Sequence, residues 1–175
     1  MRRTFVDGSF AKGTRAVPQD QDRVGPADAS GVSAQVPGPL LRELLAAACE
    51  ARERAHAPYS GFKVGSAAAC GAGTLYRGCN VENASYGLAC CAERAALFAA
   101  IAAGCQAFRP AQPAALQITH LAVIADTDTP VSPCGACRQV MIELGGPALI
   151  VIQANLRGDV AVTTAAALLP GAFRL

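Results

Sequence analysis

The chain has 175 residues and a formal net charge of +2, with 52% hydrophobic and 5% aromatic residues. This length fits one domain with a substantial core, and no apolar run is long enough to cross a bilayer. The small charge and the absence of Trp argue against a nucleic-acid-binding protein, which needs a basic surface and stacking aromatics.

Residues 1–38 are rich in Gly, Pro, Ala, Ser and Asp and show no steady period. A segment of this composition buries too little apolar surface to offset its ordering entropy, so we expect a flexible N-terminal extension. A partner-binding arm is the alternative. No apolar h-region follows the charged start, and Asp7 argues against an acid-poor transit peptide, so we expect a cytoplasmic protein.

A folded domain is expected over residues 39–175, and it begins with a helix. Apolar residues recur at helical spacing from Leu40 to Ala48, and charged residues occupy the opposite face. Pro58 is expected to end that helix. The stretches 62–70 and 74–80 then predict two strands, joined as a hairpin through a turn that contains two glycines.

Predicted helices and strands alternate through the rest of the chain, which implies an α/β layer structure with one sheet covered by helices. After the last strand, Thr163 or Thr164 is placed to cap a short helix. Helices are predicted over 92–104 and 134–146, and strands over 118–125, 148–154 and 159–163.

Two of the eight cysteines, Cys134 and Cys137, lie three residues apart at the start of a predicted helix. They share one face, one turn apart, so they can bind one metal ion or form a redox pair. Amide groups exposed at that helix start favour thiolates over thiols. Of the remaining cysteines, Cys49, Cys70 and Cys105 are expected to be small buried residues rather than disulfide partners.

A second cysteine motif precedes the helix predicted over 92–104. Cys91 offers a third thiolate, and Glu93 points elsewhere around the helix, so its carboxylate can approach a metal without being a ligand. Alone, Glu93 would be an ordinary favourable charge in a first turn. Three thiolates, however, leave one tetrahedral zinc position open for water, which is typical of catalytic sites. A carboxylate beside that water can take its proton and pass it on.

Three thiolates also place negative charge around the metal, which makes the activated water less acidic. Arg94 directly follows Glu93, and Arg138 directly follows Cys137. Guanidinium groups that donate to thiolate sulfurs would restore the Lewis acidity of the zinc. Solvent exposure is the alternative for both, but their placement leads us to expect this role for at least one.

The motifs "CAE" at 91–93 and "PCGAC" at 133–137 resemble the signature of the zinc-dependent nucleoside deaminases. The segments "APYSGFKVG", "YRGCNVENASYG", "CAERAALF", "SPCGACRQV" and "LLPGAF" are similar to cytidine deaminase segments, in the same order. The resemblance implies a three-layer α/β/α fold with a mixed sheet of about five strands. It also implies about one Zn²⁺ per chain, held by Cys91, Cys134 and Cys137.

The resemblance assigns substrate-binding residues as well. Asn80 and Glu82 match an Asn and a Glu that bind the ribose in this family. Phe62 matches an aromatic that stacks on the pyrimidine, and Ala92 would offer backbone groups to the base. An amide and a carboxylate suit sugar hydroxyls, and a carboxylate there would repel a phosphate. The expected substrate is therefore a nucleoside, with neither a nucleic acid nor a membrane as partner.

Assembly is implied in the same way. Phe173 matches an aromatic that family members contribute from a neighbouring subunit, and Tyr86 matches a position at that contact. A homotetramer with shared active sites is therefore expected.

The implied activity is the hydrolytic deamination of cytidine and deoxycytidine to uridine and deoxyuridine. Activated water attacks C4 of cytosine, while Glu93 protonates N3 and later the departing ammonia. One alternative is another nucleoside deaminase, of the blasticidin-S type, which shares the same zinc chemistry. A second is a non-catalytic structural zinc or thiol-redox module that binds a partner.

Overall fold

The computed structural model describes residues 36–71, 73–111 and 113–174. The predicted extension lies outside this part of the chain up to residue 35. Val36 already packs in the core, and the first helix begins at Gly38, two residues before Leu40. The packed part of the chain therefore begins within the stretch predicted as an extension.

A mixed five-stranded sheet forms the centre of the domain. Its strands are β1 Val64–Cys70, β2 Leu75–Cys79, β3 Ile118–Ala125, β4 Ile150–Asn155 and β5 Val160–Thr164. Each strand lies within two residues of its predicted position. The strand order is β2-β1-β3-β4-β5. Strands β3 and β4 are parallel, and the other neighbouring pairs are antiparallel, including the predicted hairpin of β1 and β2.

Helices cover both faces of this sheet, because successive strand residues point to opposite sides. Ala67 packs with the first helix on one face, while its neighbour Ala68 packs with the second and third helices on the other. The predicted three-layer α/β/α fold is therefore confirmed. Within the described residues, no helix combines the length and apolarity needed to cross a membrane. The helices are α1 Gly38–Arg52, α2 Ala92–Ala102, α3 Gly135–Gly145 and α4 Ala165–Leu168.

Helix α1 ends at Arg52 rather than at Pro58. Beyond the helix, the backbone of His56 is bonded to the segment after β2 instead of to helical partners. His56 N–H donates to Asn80 O at 3.0 Å, and Glu82 N–H donates to His56 O at 2.8 Å. These bonds fasten the segment after α1 to the residues that follow β2. Thr164 caps α4 with its hydroxyl, which accepts from Ala167 N–H at 3.2 Å.

Cys70 and Cys105 form a disulfide, with their sulfur atoms 2.14 Å apart. The prediction of two separate buried thiols is therefore wrong. The fold brings together the end of β1 and the turn after α2, where Cys105 N–H donates to Ala100 O at 3.0 Å. Cys49, by contrast, is a free, half-buried cysteine as expected.

Helix α2 approaches the sheet closely at a glycine. A Cβ added at Gly78 in β2 would lie 2.2 Å from Ala96 N and 2.4 Å from Ala92 O. Both are backbone atoms of α2, so a rotamer change cannot relieve the overlap. The missing side chain at Gly78 therefore sets the height of the first turn of α2 above the sheet.

We predict that Gly78→Ala destabilises the domain, because the added methyl group overlaps the backbone of α2. The free energy of unfolding is expected to fall by about 1–3 kcal/mol, the usual range for overpacking. Urea unfolding followed by circular dichroism measures this loss. Gly87→Ala is the matched control, since a Cβ there meets nothing within 4 Å. Equal unfolding midpoints for the two variants would contradict the close contact of α2 with β2.

Candidate active site

Three cysteine sulfurs meet where helices α2 and α3 begin. Cys91 immediately precedes α2, Cys134 immediately precedes α3, and Cys137 lies in the first turn of α3. The Sγ atoms of Cys91 and Cys134 are 3.8 Å apart, and those of Cys134 and Cys137 are 3.5 Å apart. All three sulfurs lie within 4.8 Å of one another.

This triangle has the dimensions of a zinc site. A tetrahedral zinc ion with sulfur bonds of about 2.3 Å separates its thiolates by about 3.8 Å. Within the described residues no fourth Cys, His, Asp or Glu joins the group. The donor set therefore fits zinc with one coordination position left for another molecule.

The ends of two helices favour negative charge at this point. Neither α2 nor α3 has a side-chain hydrogen bond at its N-cap. The first N–H groups of each helix therefore keep their partial positive charge directed at the cysteines. Such an environment stabilises thiolates, which are the forms that bind a metal.

The three thiols differ in their acidity. Hydrogen bonds from Cys137, Arg94 and Cys134, of which the first is the largest contribution, lower the pKa of Cys91 to about 5. The hydrogen bond with Cys91, reinforced by burial, raises the pKa of Cys137. Cys91 is therefore the thiolate of the pair, and binding of a metal would release the proton held by Cys137.

Arg94 is the cation that reaches the cluster. Its Nη2 donates to Cys91 Sγ at 3.6 Å and to Ala89 O at 3.2 Å. The second bond anchors the guanidinium to the segment just before α2. Arg94 thus places a positive charge against one sulfur, the arrangement that offsets the charge of three thiolates.

Arg138 makes different contacts, so of the two arginines, at least one of which is expected to donate to a thiolate, Arg94 is the one that does. Its Nε donates to Pro133 O at 2.8 Å, its Nη1 to Leu168 O at 2.9 Å, and its Nη2 to Ser132 Oγ at 3.0 Å. The acceptors of these bonds lie in the loop before Cys134 and at the end of α4, and none of them is a cysteine sulfur. Arg138 therefore fastens the loop before Cys134 to the C-terminal helix.

Glu93 lies in the first turn of α2 beside the thiolate cluster but outside it. Its side chain is 5% exposed. Burial raises the pKa of the Glu93 carboxyl, and the negative charge of Cys91 adds to the effect. A carboxyl of this kind gains and loses a proton more readily near neutral pH, which suits general acid–base catalysis.

A cavity of about 250 Å³ opens in front of the cysteines and Glu93. Val64, Val81 and Val131 form apolar parts of its wall, so it can receive a flat heterocycle beside a few polar groups. The sequence did not single out these three valines, because nothing in their spacing distinguishes them from core residues. The predicted substrate residues that line the cavity are Phe62, Asn80, Glu82 and Ala92.

The carboxylate of Glu82 is held by the loop that follows α1. Its Oε2 accepts from Tyr59 N–H at 2.8 Å and from Ser60 N–H at 3.3 Å. Its Oε1 accepts from Ser60 Oγ. The hydroxyl bond of Ser60, followed by the backbone bond of Tyr59, lowers the pKa of Glu82, so the carboxylate stays ionised. Ser60 escaped the sequence prediction, although it lies within the motif "APYSGFKVG".

Asn80 fixes the position of Phe62. Its Nδ2 donates to Phe62 O at 2.8 Å, and its Oδ1 accepts from Val64 N–H at 2.8 Å. An amide nitrogen has two hydrogens, so Asn80 can make these bonds and still donate to a sugar hydroxyl. Asn80, which the resemblance assigns to substrate binding, therefore also holds the loop that contains Phe62 in place.

Tyr86 and Phe173 do not line this cavity of their own chain. Tyr86 is 82% exposed, on a single turn of 3₁₀ helix, beside a second hollow that Tyr59 and Glu82 also line. Phe173 is 68% exposed, and its carbonyl accepts from Gln139 Nε2 at 3.2 Å.

A second contact holds the same end of the chain. The guanidinium of Arg174 lies 4.8 Å from the ring centroid of Phe108, in the range of a cation–π interaction. The C-terminal segment is therefore fixed on the surface, with its aromatic ring directed outward.

Comparison with known proteins gives one consistent result. The model of the family described as "Cytidine and deoxycytidylate deaminase zinc-binding region" matches residues 40–153. A protein of Sporosarcina psychrophila named cytidine deaminase is 47% identical over 133 residues, which cover 76% of this chain and 90% of that protein. Its counterpart in Halalkalibacterium halodurans is 48% identical over 130 residues, or 74% and 91% of the two chains.

Solved structures agree with these relatives. The crystal structure of cytidine deaminase from Burkholderia pseudomallei is similar to this chain with a TM-score of 0.67 and 56% sequence identity. The similarity covers 75% of this chain and 97% of that one.

We predict that the purified chain contains about one zinc ion and that Cys91→Ala loses most of it, because two thiolates cannot close the site. Cys90→Ala is the matched control. Cys90 is the adjacent cysteine, and its Sγ donates to Cys91 O at 3.6 Å instead of joining the cluster. Metal analysis by mass spectrometry compares the two variants. If Cys90→Ala lost its zinc and Cys91→Ala retained it, the ligand would be Cys90 rather than Cys91.

Proposed function

The chain belongs to the family of zinc-dependent cytidine and deoxycytidylate deaminases, and we propose that it hydrolyses cytidine and deoxycytidine to uridine and deoxyuridine. The reaction releases ammonia and belongs to pyrimidine salvage. The observation that supports this most directly is one cavity in which a three-sulfur cluster of zinc dimensions meets a buried carboxyl, that of Glu93. A structural zinc module would need a fourth protein ligand, and the described cluster has three.

Cys91, Cys134 and Cys137 would hold the zinc, which when bound supplies the Lewis acidity that activates water at neutral pH. Arg94 and the starts of α2 and α3 offset the negative charge of the thiolates. Without that compensation, three thiolates would weaken the pull of the metal on the oxygen of water. Arg94 and the two helix ends would therefore preserve the Lewis acidity of the zinc.

Glu93 moves the protons of the reaction. Its carboxylate takes the first proton of the attacking water and delivers it to N3 of cytosine as the new C4–O bond forms. The second proton passes through the same carboxylate to the amino group, the C4–N4 bond breaks, and ammonia leaves. Because Glu93 is buried, bulk water does not exchange these protons before they are used.

Other residues of the cavity orient the substrate. Phe62 stacks on the pyrimidine, and the backbone of Ala92 contacts the base. Asn80 and Glu82 bind the ribose, whose hydroxyls suit an amide and a carboxylate. The ionised Glu82 repels the phosphate of a nucleotide, which favours the free nucleoside. The sugar-binding pair distinguishes this site from that of a blasticidin-type deaminase.

For assembly, we propose a homotetramer whose subunits share their active sites. Phe173 and Tyr86 are exposed apolar side chains, and Leu88 beside Tyr86 is exposed as well. Exposed apolar groups of this size are usually covered by another protein surface. The bonds that Gln139 and Phe108 make to the C-terminal segment keep Phe173 pointing outward, ready to enter a neighbour's cavity. We also propose a cytoplasmic location, because six of the eight cysteines are free, including the three of the cluster, and Cys70 and Cys105 are the one joined pair.

We predict that the purified protein deaminates cytidine and deoxycytidine, measured by the ultraviolet absorbance change that accompanies uracil formation. Cytidine monophosphate should react with a clearly lower kcat/KM, since its phosphate has the same charge sign as the Glu82 carboxylate. Single-stranded DNA should not react. Comparable turnover of the monophosphate would contradict the role of Glu82.

The control for that assay is Glu93→Gln, which keeps the shape of the side chain and loses its proton chemistry. This variant should bind zinc normally and lose about 10²–10⁴-fold in kcat, the usual contribution of a general acid–base group. Near-normal turnover by Glu93→Gln would exclude the proposed proton path.

We predict that deletion of residues 171–175 abolishes activity while zinc stays bound, because the deletion removes Phe173 from the neighbouring cavity. Light scattering reports the assembly, and the absorbance assay reports activity. Mixing gives a sharper test. Truncated chains keep Glu93, and Glu93→Gln chains keep the tail, so hybrid tetramers should recover part of the activity. Hybrids that mass spectrometry verifies but that remain inactive would exclude shared sites.

A further inference from the structure

Ser60 connects two residues that contact the proposed substrate. Its hydroxyl donates to Oε1 of Glu82 and accepts the backbone N–H of Phe62 at 3.0 Å. A hydroxyl has one donor and two acceptor positions, so it can make both bonds at once. One small side chain therefore links the carboxylate beside the sugar to the aromatic residue beside the base.

The two oxygens of Glu82 are held by different groups. Backbone N–H groups of Tyr59 and Ser60 hold Oε2, at 2.8 and 3.3 Å. The hydroxyl of Ser60 is the group that holds Oε1. Backbone bonds alone would let the carboxylate pivot about Oε2. The hydroxyl removes this freedom and directs the remaining lone pairs of Oε1.

The loop that contains Ser60 is itself fixed. Gly61 has a φ of +68° and donates its N–H to Ala57 O at 3.0 Å, so the chain turns sharply directly after Ser60. Beyond the turn, Asn80 holds Phe62 O at 2.8 Å. Two residues that follow β2, Asn80 and Glu82, thus fasten the loop at two points, and Ser60 lies between these points.

We propose that Ser60 is the positioning residue that sets sugar selectivity, by orienting the Glu82 carboxylate toward one ribose hydroxyl. This inference rests on the proposed function, because it requires a nucleoside in the cavity. A site built to bond a hydroxyl rejects a substrate that lacks it, since its own polar group is then left unpaired. Such rejection depends on a carboxylate that cannot turn away to other partners.

The test compares cytidine, 2′-deoxycytidine and 3′-deoxycytidine as substrates of the zinc-loaded protein. The analogue with the lowest kcat/KM in the wild type identifies the hydroxyl that Glu82 receives. In Ser60→Ala, the preference for cytidine over that analogue should fall on the order of tenfold, the effect of one hydrogen bond to a charged group. The loss should appear mainly as a raised KM for cytidine, with zinc content unchanged.

Two further variants separate positioning from folding. Ser60→Thr keeps the hydroxyl and should restore most of the preference. Ser85→Ala removes an exposed hydroxyl of another loop residue, whose hydrogen bonds among the described residues are made by its backbone, as in the N–H bond to Asn83 Oδ1, and it should keep the wild-type preference.

Each other outcome has a definite meaning. If Ser60→Ala lowers kcat/KM equally for all three nucleosides, Ser60 only supports the loop and the proposal is wrong. If Ser60→Thr behaves like Ser60→Ala, the hydroxyl is not the group that matters, and the proposal is also wrong. A wild-type protein that binds zinc and deaminates none of the three nucleosides would overturn the proposed function, and the role of Ser60 with it.

Discussion

Three cysteines within 4.8 Å of one another would repel each other as thiolates, the form in which they bind a metal, so the chain must provide positive charge at the point where they meet. It does so with the uncapped N-termini of α2 and α3, both on the same face of the sheet, and with Arg94. The close packing at Gly78 fixes the height of α2, and Arg138 fastens the loop that leads into α3. Much of the fold around the cluster thus serves to keep two helix ends together.

On the substrate side of the cavity, the residues come from loops rather than from helix ends, so they are held in place differently. Loops are mobile unless their backbone groups are bonded. Here two residues that follow β2, Asn80 and Glu82, supply those bonds through their side chains. The same two side chains face the cavity, so the groups that would bind the sugar also hold the wall in place. Ligand binding and loop rigidity are therefore coupled at one edge of the sheet.

Local spacing explains what the sequence could predict. Cys134 and Cys137 are one helical turn apart, and Glu93 lies two residues after Cys91, so short-range geometry explains each of the two motifs separately. Cys91 and Cys134 are 43 residues apart, and their meeting is expected from the resemblance to the deaminase family rather than from spacing. The misses depend on partners that are distant in the chain. Cys70 and Cys105 meet across 35 residues, and the donors of Arg138 reach Leu168, 30 residues away. Nothing in the spacing of such residues indicates their contact.

Charge at the two ends of the cavity accounts for the kind of molecule it favours. A zinc ion with three thiolates keeps a net negative charge, and Glu82 at the other end is held ionised. Cytosine is neutral and becomes protonated at N3 during the reaction, so this field stabilises the reacting base more than the resting one. A phosphate on the sugar would meet the opposite effect, because it adds negative charge beside Glu82. In the proposed function, the electrostatics that assist protonation of the base would therefore also favour a substrate with an uncharged sugar.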